Sequence, residues 1–149
     1  DEELQLILEA ARLAPSGGNR QPWRFIVVKK PSTKRALVQA THGYQFIADA
    51  SVIVAALGDP QASPRWFKQD PMTAVEHMAL TATSMGLGTC WIGGFDDEEV
   101  KRILKIPETL TVVALLPIGV PDESPPERSR KPLEEIAFSE KYGRPLVLR

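Results

Sequence analysis

The sequence predicts a single globular domain of mixed helix and strand, spanning 1–149, in which the strands are buried. Its 149 residues, 43% hydrophobic and 25% charged, are ordinary for a soluble protein with a sizeable core. Three runs, 25–28, 50–57 and 110–120, are apolar at consecutive rather than alternate positions, as in strands covered on both faces. Segments with apolar residues at helical spacing separate those runs.

Residues 1–14 read as a helix. Leu4, Ile7, Leu8 and Ala11 share one face, and Asp1, Glu2 and Glu3 suit the positive end of the helix dipole. Pro15 ends it. The strand 25–28 is apolar on both faces, which predicts a central place in its sheet. Pro31 opens a second helix that runs to about residue 40, and 42–46 make a break or short helical turn. The strand 50–57 is closed by Gly58-Asp59-Pro60. Residues 59–70 are irregular. Trp66 and Phe67, their only large apolar groups, suit either a lid over a pocket or pins that fix the loop to the core.

Residues 70–85 read as a helix with Asp70 as N-cap and Pro71 at its first position. Ala74, Val75, Met78, Ala79, Ala82 and Met85 leave little of its circumference polar, as in a helix packed on several elements or at a subunit interface. His77 lies there without a carboxylate–cysteine constellation, so its expected role is structural or interfacial. Gly86 ends the helix. Residues 88–92 read as a short buried strand holding Cys90, and 91–95 as a glycine-paired turn. Residues 96–105 form an amphipathic helix capped by Asp96, with Val100, Ile103 and Leu104 inward, stopped by Pro107. The long strand 110–120 follows. Beyond Pro121 the chain is polar and proline-rich, with a helical turn at 133–136 and a short strand at 145–149. Such a tail cannot fold alone and needs another surface, such as a neighbouring subunit's, to run over.

Several function classes are excluded. A net charge of -1 and 7% aromatic residues give no case for nucleic acid or an anionic membrane. No run approaches the roughly 18 apolar residues of a membrane span, and no signal-like segment opens the chain. One cysteine, Cys90, permits no internal disulfide and no CxxC metal site, and suits a reducing cytoplasm. Two isolated histidines make no metal site. GxGxxG, GxxxxGK[ST] and GxSxG are all absent, and no side chain has the partners of a nucleophile or general acid. A cofactor that carries the chemistry removes the need for one.

Three loops hold what is unusual. Residues 14–23 combine two prolines, Gly17-Gly18 and the polar side chains of Ser16, Asn19 and Gln21, which suits a planar ligand with several acceptors as well as a plain helix-to-strand connector. Residues 91–95 offer backbone N–H groups beside Gly93 and Gly94. Arg128 and Arg130, spaced i,i+2 in an extended segment, point the same way and can clamp a phosphate.

The chain resembles the FMN-dependent nitroreductase family over nearly its whole length. The resemblance is carried by Ala14 to Phe25 (APSGGNRQPWRF), Asp49-Ala50-Ser51, Ala74 to Leu80 (AVEHMAL), Gly86 to Phe95 (GLGTCWIGGF), Leu116 to Pro121 (LPIGVP) and Arg128 to Ile136 (RSRKPLEEI). It implies an α+β fold, a mostly antiparallel sheet flanked by helices in three layers, assembled as an intertwined homodimer with FMN in two interface sites. Pro15, Ser16, Gly17, Asn19 and Gln21 then correspond to the loop that reaches the flavin bound mainly by the other subunit. Ile92, Gly93 and Gly94 correspond to the turn on the flavin ring, with the Gly93 N–H near N5. Many relatives carry Glu where Gly93 stands, which a backbone donor tolerates. Arg128 and Arg130 correspond to the phosphate clamp, and 121–149 to a tail that embraces the partner. The implied activity is ping-pong transfer of a hydride from NADH or NADPH through the flavin to a nitroaromatic, quinone or similar flat acceptor, in the cytoplasm. A dehalogenating, dehydrogenating or flavin-degrading specialist and a non-catalytic flavin-binding dimer are the alternatives. The family's R-R-S-x-R-like opening, part of its phosphate site, is missing from this sequence, and the short 59–70 loop implies an open pocket.

Overall fold

The spine of the molecule is the strand Val52–Gly58, whose seven residues are all buried. In the computed structural model, which describes residues 1–148, the chain runs α1 (Glu2–Arg12), β1 (Trp23–Val28), α2 (Pro31–Ala40), β2 (Val52–Gly58), α3 (Gln69–Ser84), β3 (Gly88–Thr89), α4 (Asp97–Leu104), β4 (Thr111–Gly119) and α5 (Leu133–Ile136). Two short 3-10 turns, Gly17–Asn19 and Gln45–Ala48, interrupt the connections. The sheet has the order β1-β2-β4-β3, with every pair antiparallel.

Alternate residues of β2 feed two cores. Val54 and Ala56 pack with Ile7 and Ala11 of α1 and Ala74, Val75, Met78 and Ala82 of α3. Ile53, Ala55 and Leu57 pack with Leu37 and Val38 of α2 and Val100 of α4. The result is the α+β, three-layer arrangement of helices on both faces of an antiparallel sheet. In β4 the register shifts opposite Ala56 and Leu57, which pair with Ala114 and Val112. The bulge turns Val112 into the α2/α4 core, while Leu116 and Ile118 stay in the other.

Four expectations are corrected. β1 is an edge strand of this sheet, not a central one. Its apolarity on both faces reports the helical layers above and below it, which say nothing of lateral neighbours. Lys68, not Asp70, holds the N-cap position of α3, and Asp70 lies in the first turn. The strand expected at 88–92 pairs only at Gly88 and Thr89, with a single further bridge from Ile92 to Leu115, and Cys90 between them is exposed. At 145–149 only Pro145 pairs, with Phe138; 146–148 form no strand, and Arg149 lies outside the described residues.

The end of α3 follows the expected pattern. Gly86 at φ +75° donates its N–H to the Thr83 carbonyl, and Leu87 donates to that of Ala82, which together close a Schellman motif. His77 is structural: its Nδ1 lies 3.1 Å from the Ala10 carbonyl, which can only accept, so the imidazole N–H ties α3 to α1. No helix among the described residues is long and apolar enough to cross a membrane.

Candidate functional site

The register sorts the candidate loops by sheet end. Trp23, Gly58 and Thr111 stand together at one end of β1, β2 and β4. The Pro15–Gln21 loop enters β1 at that end. Ile92 pairs with Leu115, so the antiparallel chain beyond it carries Gly93 and Gly94 toward the same end. The Asp96 N–H donates to the Ala40 carbonyl at 2.8 Å and fixes the turn's exit against α2.

The first loop is held in an unusual backbone. Gly18, Asn19 and Gln21 all lie in the left-handed region, at φ +58°, +53° and +50°. Two of these are non-glycine residues, whose side chains disfavour that region. Local bonds compensate: the Asn19 N–H donates to the Ser16 carbonyl at 2.9 Å and the Gln21 N–H to Ser16 Oγ at 3.0 Å. Gln21 Nε2 donates to the Asn19 carbonyl at 3.1 Å. Gln21 is therefore partly engaged inside the loop, and Ser16 keeps only its hydroxyl proton to donate outward. The Asn19 side-chain amide is exposed and makes no hydrogen bond among the described residues. Pro15 is exposed, and Gly17 half-buried.

Two contacts here were not legible in the sequence. Asp70 Oδ2 accepts from the Gly17 N–H at 3.1 Å. The Trp66 indole lies on Gly17, so Trp66 pins this loop rather than the core. Gly17 and Asp70 stand 53 positions apart, and local spacing carries no signal over that distance.

The second turn is bare. A Cβ built on Gly93 or Gly94 meets no atom within 4 Å, whereas Ile92 beside them is buried. The third element lies apart. β4 leaves the sheet at Gly119, paired with Gly88 at the opposite end. From there Arg128 and Arg130 follow on an exposed stretch without regular structure, which spans about 30 Å when extended. Arg130 folds back on the Arg128 and Ser129 carbonyls, each at 3.2 Å. Within one chain no hydrogen bond or ion pair among the described residues joins the three elements.

Two concavities of the surface lie elsewhere. One, of about 630 Å³, runs along the free edge of β1 between Ile26, Val28, Ile103 and Leu104. The other, of about 300 Å³, lies between Ile7, Ser51 and Val120. The carboxyls of Glu9 and Glu99 are lowered by hydrogen bonds from Arg12 and Arg102 on their own helices, not by any group of the three loops. No group of three or more metal-ligating side chains occurs among the described residues.

The comparisons agree with one another. The nitroreductase family model matches residues 1–50 and 33–120. A relative from Archaeoglobus fulgidus is 35% identical over 131 residues, 83% of this chain and 75% of its own. The NADH dehydrogenase of Thermus thermophilus is 31% identical, covering 91% of this chain and 83% of its own. Among solved structures, an FMN-dependent nitroreductase from Clostridium difficile superposes with a TM-score of 0.85 at 27% identity, over 95% of this chain and 88% of the other. A nitroreductase family protein from Clostridium novyi superposes at 0.77 and 32% identity, over 97% and 84%. On a matching fold, a matching family model and relatives above 30% identity across most of the chain, this protein belongs to the nitroreductase family.

Proposed function

We propose that the chain is a flavin-dependent oxidoreductase, acting as a homodimer with FMN between two copies. The observation that carries the proposal is the Gly93–Gly94 turn. Both glycines are exposed and a Cβ at either would meet nothing within 4 Å, so a flat ring can come close to this backbone without displacing a side chain. The other donors fit the same ligand. Asn19 and the Ser16 hydroxyl suit the polar edge of a heteroaromatic ring, and the guanidinium forks of Arg128 and Arg130 match phosphate oxygens. When bound, FMN supplies the hydride transfer between NADH or NADPH and a flat acceptor such as a nitroaromatic or quinone.

The chain's own part is positional. Backbone donors at 93–94 are fixed by the Ile92–Leu115 bridge and the Asp96–Ala40 bond before any ligand arrives, so they cost no reorganisation during reaction. No side chain near the loops has the partners of a general acid, so solvent serves as the proton source.

A second copy enters the proposal because the three elements do not meet within one. The helix α3 exposes Met72 and Leu80, α1 exposes Leu6 and its C-cap Leu13, and the tail exposes Leu133, Ile136, Val147 and Leu148. We assign 121–149 to the partner's surface, with the free β1 edge and its groove as the seat for the apolar tail end.

A relative from Thermotoga neapolitana, 25% identical over 87% of this chain, is an iodotyrosine deiodinase, which makes reductive dehalogenation the second reading. The test is FMN titration followed by NADH and NADPH oxidation with a nitroaromatic, a quinone and iodotyrosine as separate acceptors. A flavin band at about 450 nm and turnover of the first two support the proposal. Turnover of iodotyrosine alone favours the second reading. A colourless protein that cannot be loaded with FMN overturns both.

A further inference from the structure

The Pro15–Gln21 loop is shaped from within but held in place from outside. Its bonds from Asn19, Arg20 and Gln21 to Ser16 and Gly17 are local, and they would travel with the loop if it moved. Its long-range tethers come from the segment after β2. Asp70 Oδ2 accepts from the Gly17 N–H at 3.1 Å, and the Trp66 indole covers Gly17 so closely that a Cβ there would stand 2.6 Å from Cδ1. At the loop's exit the Asp59 N–H donates to the Pro22 carbonyl at 2.8 Å, which anchors the strand rather than the turn.

We propose that Asp70 is the positioning residue of the cofactor loop. Its carboxylate holds Gly17 against the start of α3. The left-handed turn that begins there then presents the Asn19 amide and the Ser16 hydroxyl at a fixed height above the sheet end. A carboxylate suits this task. Its bond to a backbone N–H is charge-assisted, and the first turn of α3 favours a negative charge. Trp66 closes the other side of Gly17, so the loop cannot relax toward 59–70. This inference rests on the proposed FMN reading of the loop.

The test titrates FMN by flavin fluorescence into wild type, Asp70→Ala, Asp70→Asn and Asn19→Ala. Thermal melting and the molar mass of the FMN-free proteins are measured in parallel. Asp70→Ala and Asn19→Ala are each expected to weaken FMN by about tenfold or more, the scale of one lost charge-assisted or ligand hydrogen bond. Asp70→Asn, which keeps an acceptor without the charge, falls between Ala and wild type, and its partial rescue separates positioning from a general loss of fold. Melting temperature and assembly stay near wild type. Where Asp70→Ala does not fold, Asp70→Leu fills the same volume without an acceptor and carries the comparison. Wild-type FMN affinity in the Asp70 variants, with weakened affinity in Asn19→Ala, overturns the positioning role and leaves the FMN reading standing. Wild-type affinity in all of them overturns both.

Discussion

Two glycines show how differently one residue type is required. A Cβ on Gly58 would stand 1.9 Å from the Phe67 carbonyl oxygen, because the 59–70 loop folds back over the end of β2. A Cβ on Gly93 would meet nothing within 4 Å. Gly58→Ala must therefore push a backbone carbonyl aside, and the expected cost is about 3 kcal/mol, the upper end of the overpacking range. Gly93→Ala is expected to unfold at the wild-type urea midpoint. Urea denaturation of both variants checks the pair; a Gly58→Ala protein as stable as wild type would mean that the loop does not close over β2. The sequence marks 93–94 as a glycine-paired turn because the two residues are adjacent. It shows Gly58 only as the close of a strand, since the atom that forbids a side chain there belongs to Phe67 and arrives by tertiary folding.

At the scale of elements, α4 is the informative case. Eight residues are too few to hold a helix in isolation, so its ends and its packing have to supply the stability. Asp96 Oδ1 accepts from the Glu99 N–H at 3.0 Å, the cap that the sequence predicts. Lys101, a charged residue on the same helix, is buried. Its Nζ lies 3.2 Å from Asp97 and 3.6 Å from Glu108, which bridges the helix to the turn beyond Pro107. Burial pushes the Lys101 ammonium down, but the hydrogen bond and charge of Asp97, with Glu108 and Glu98, outweigh it and hold the group above its ordinary 10.5. A raised lysine contributes stability that is whole below its unfolded value and is lost as pH rises through the folded one. Lys101→Ala is expected to cost about 1 kcal/mol near neutral pH. The figure is not larger because the orphaned Asp97 and Glu108 reach water, at 40% and 75% exposure. Denaturation of wild type and variant at neutral and strongly alkaline pH checks the sign: the gap between them narrows above the ordinary lysine range. A gap that widens there would contradict it. The consequence reaches the candidate site, since the N-cap of α4, Asp96, is the residue whose N–H fixes the exit of the Gly93–Gly94 turn on α2.

Across the whole molecule, the helices and the strands β1, β2 and β4 were legible because caps, prolines and apolar spacing act within a few residues. Lateral order was not. Phe25, Ile26 and Val27 look central by composition yet line an edge, and Cys90 is exposed although its N–H donates to the Pro117 carbonyl of β4 at 3.4 Å. The candidate site is divided in the same way. Loops 15–21 and 93–94 lie at the same sheet end through register but at its opposite edges, while the tail with Arg128 and Arg130 departs from the other end. Apolar side chains are left facing water at matching scale: Tyr142 is 94% exposed, Val147 77% and Leu148 72%, and among the described residues β1 keeps an unpaired edge above an apolar groove. A free β edge and a detached apolar segment are each unfavourable alone, and both are covered if the segment lies on a second copy. Light scattering is therefore expected to give twice the 16.4 kDa of one chain. Truncation after Pro132 keeps Arg128 and Arg130 but removes the apolar tail end. If the tail embraces the partner, the shortened chain falls to a monomer and loses FMN although every proposed ligand-binding residue is still present. A shortened chain that stays dimeric, or a monomer that keeps its flavin, would show that each site is complete without the embrace.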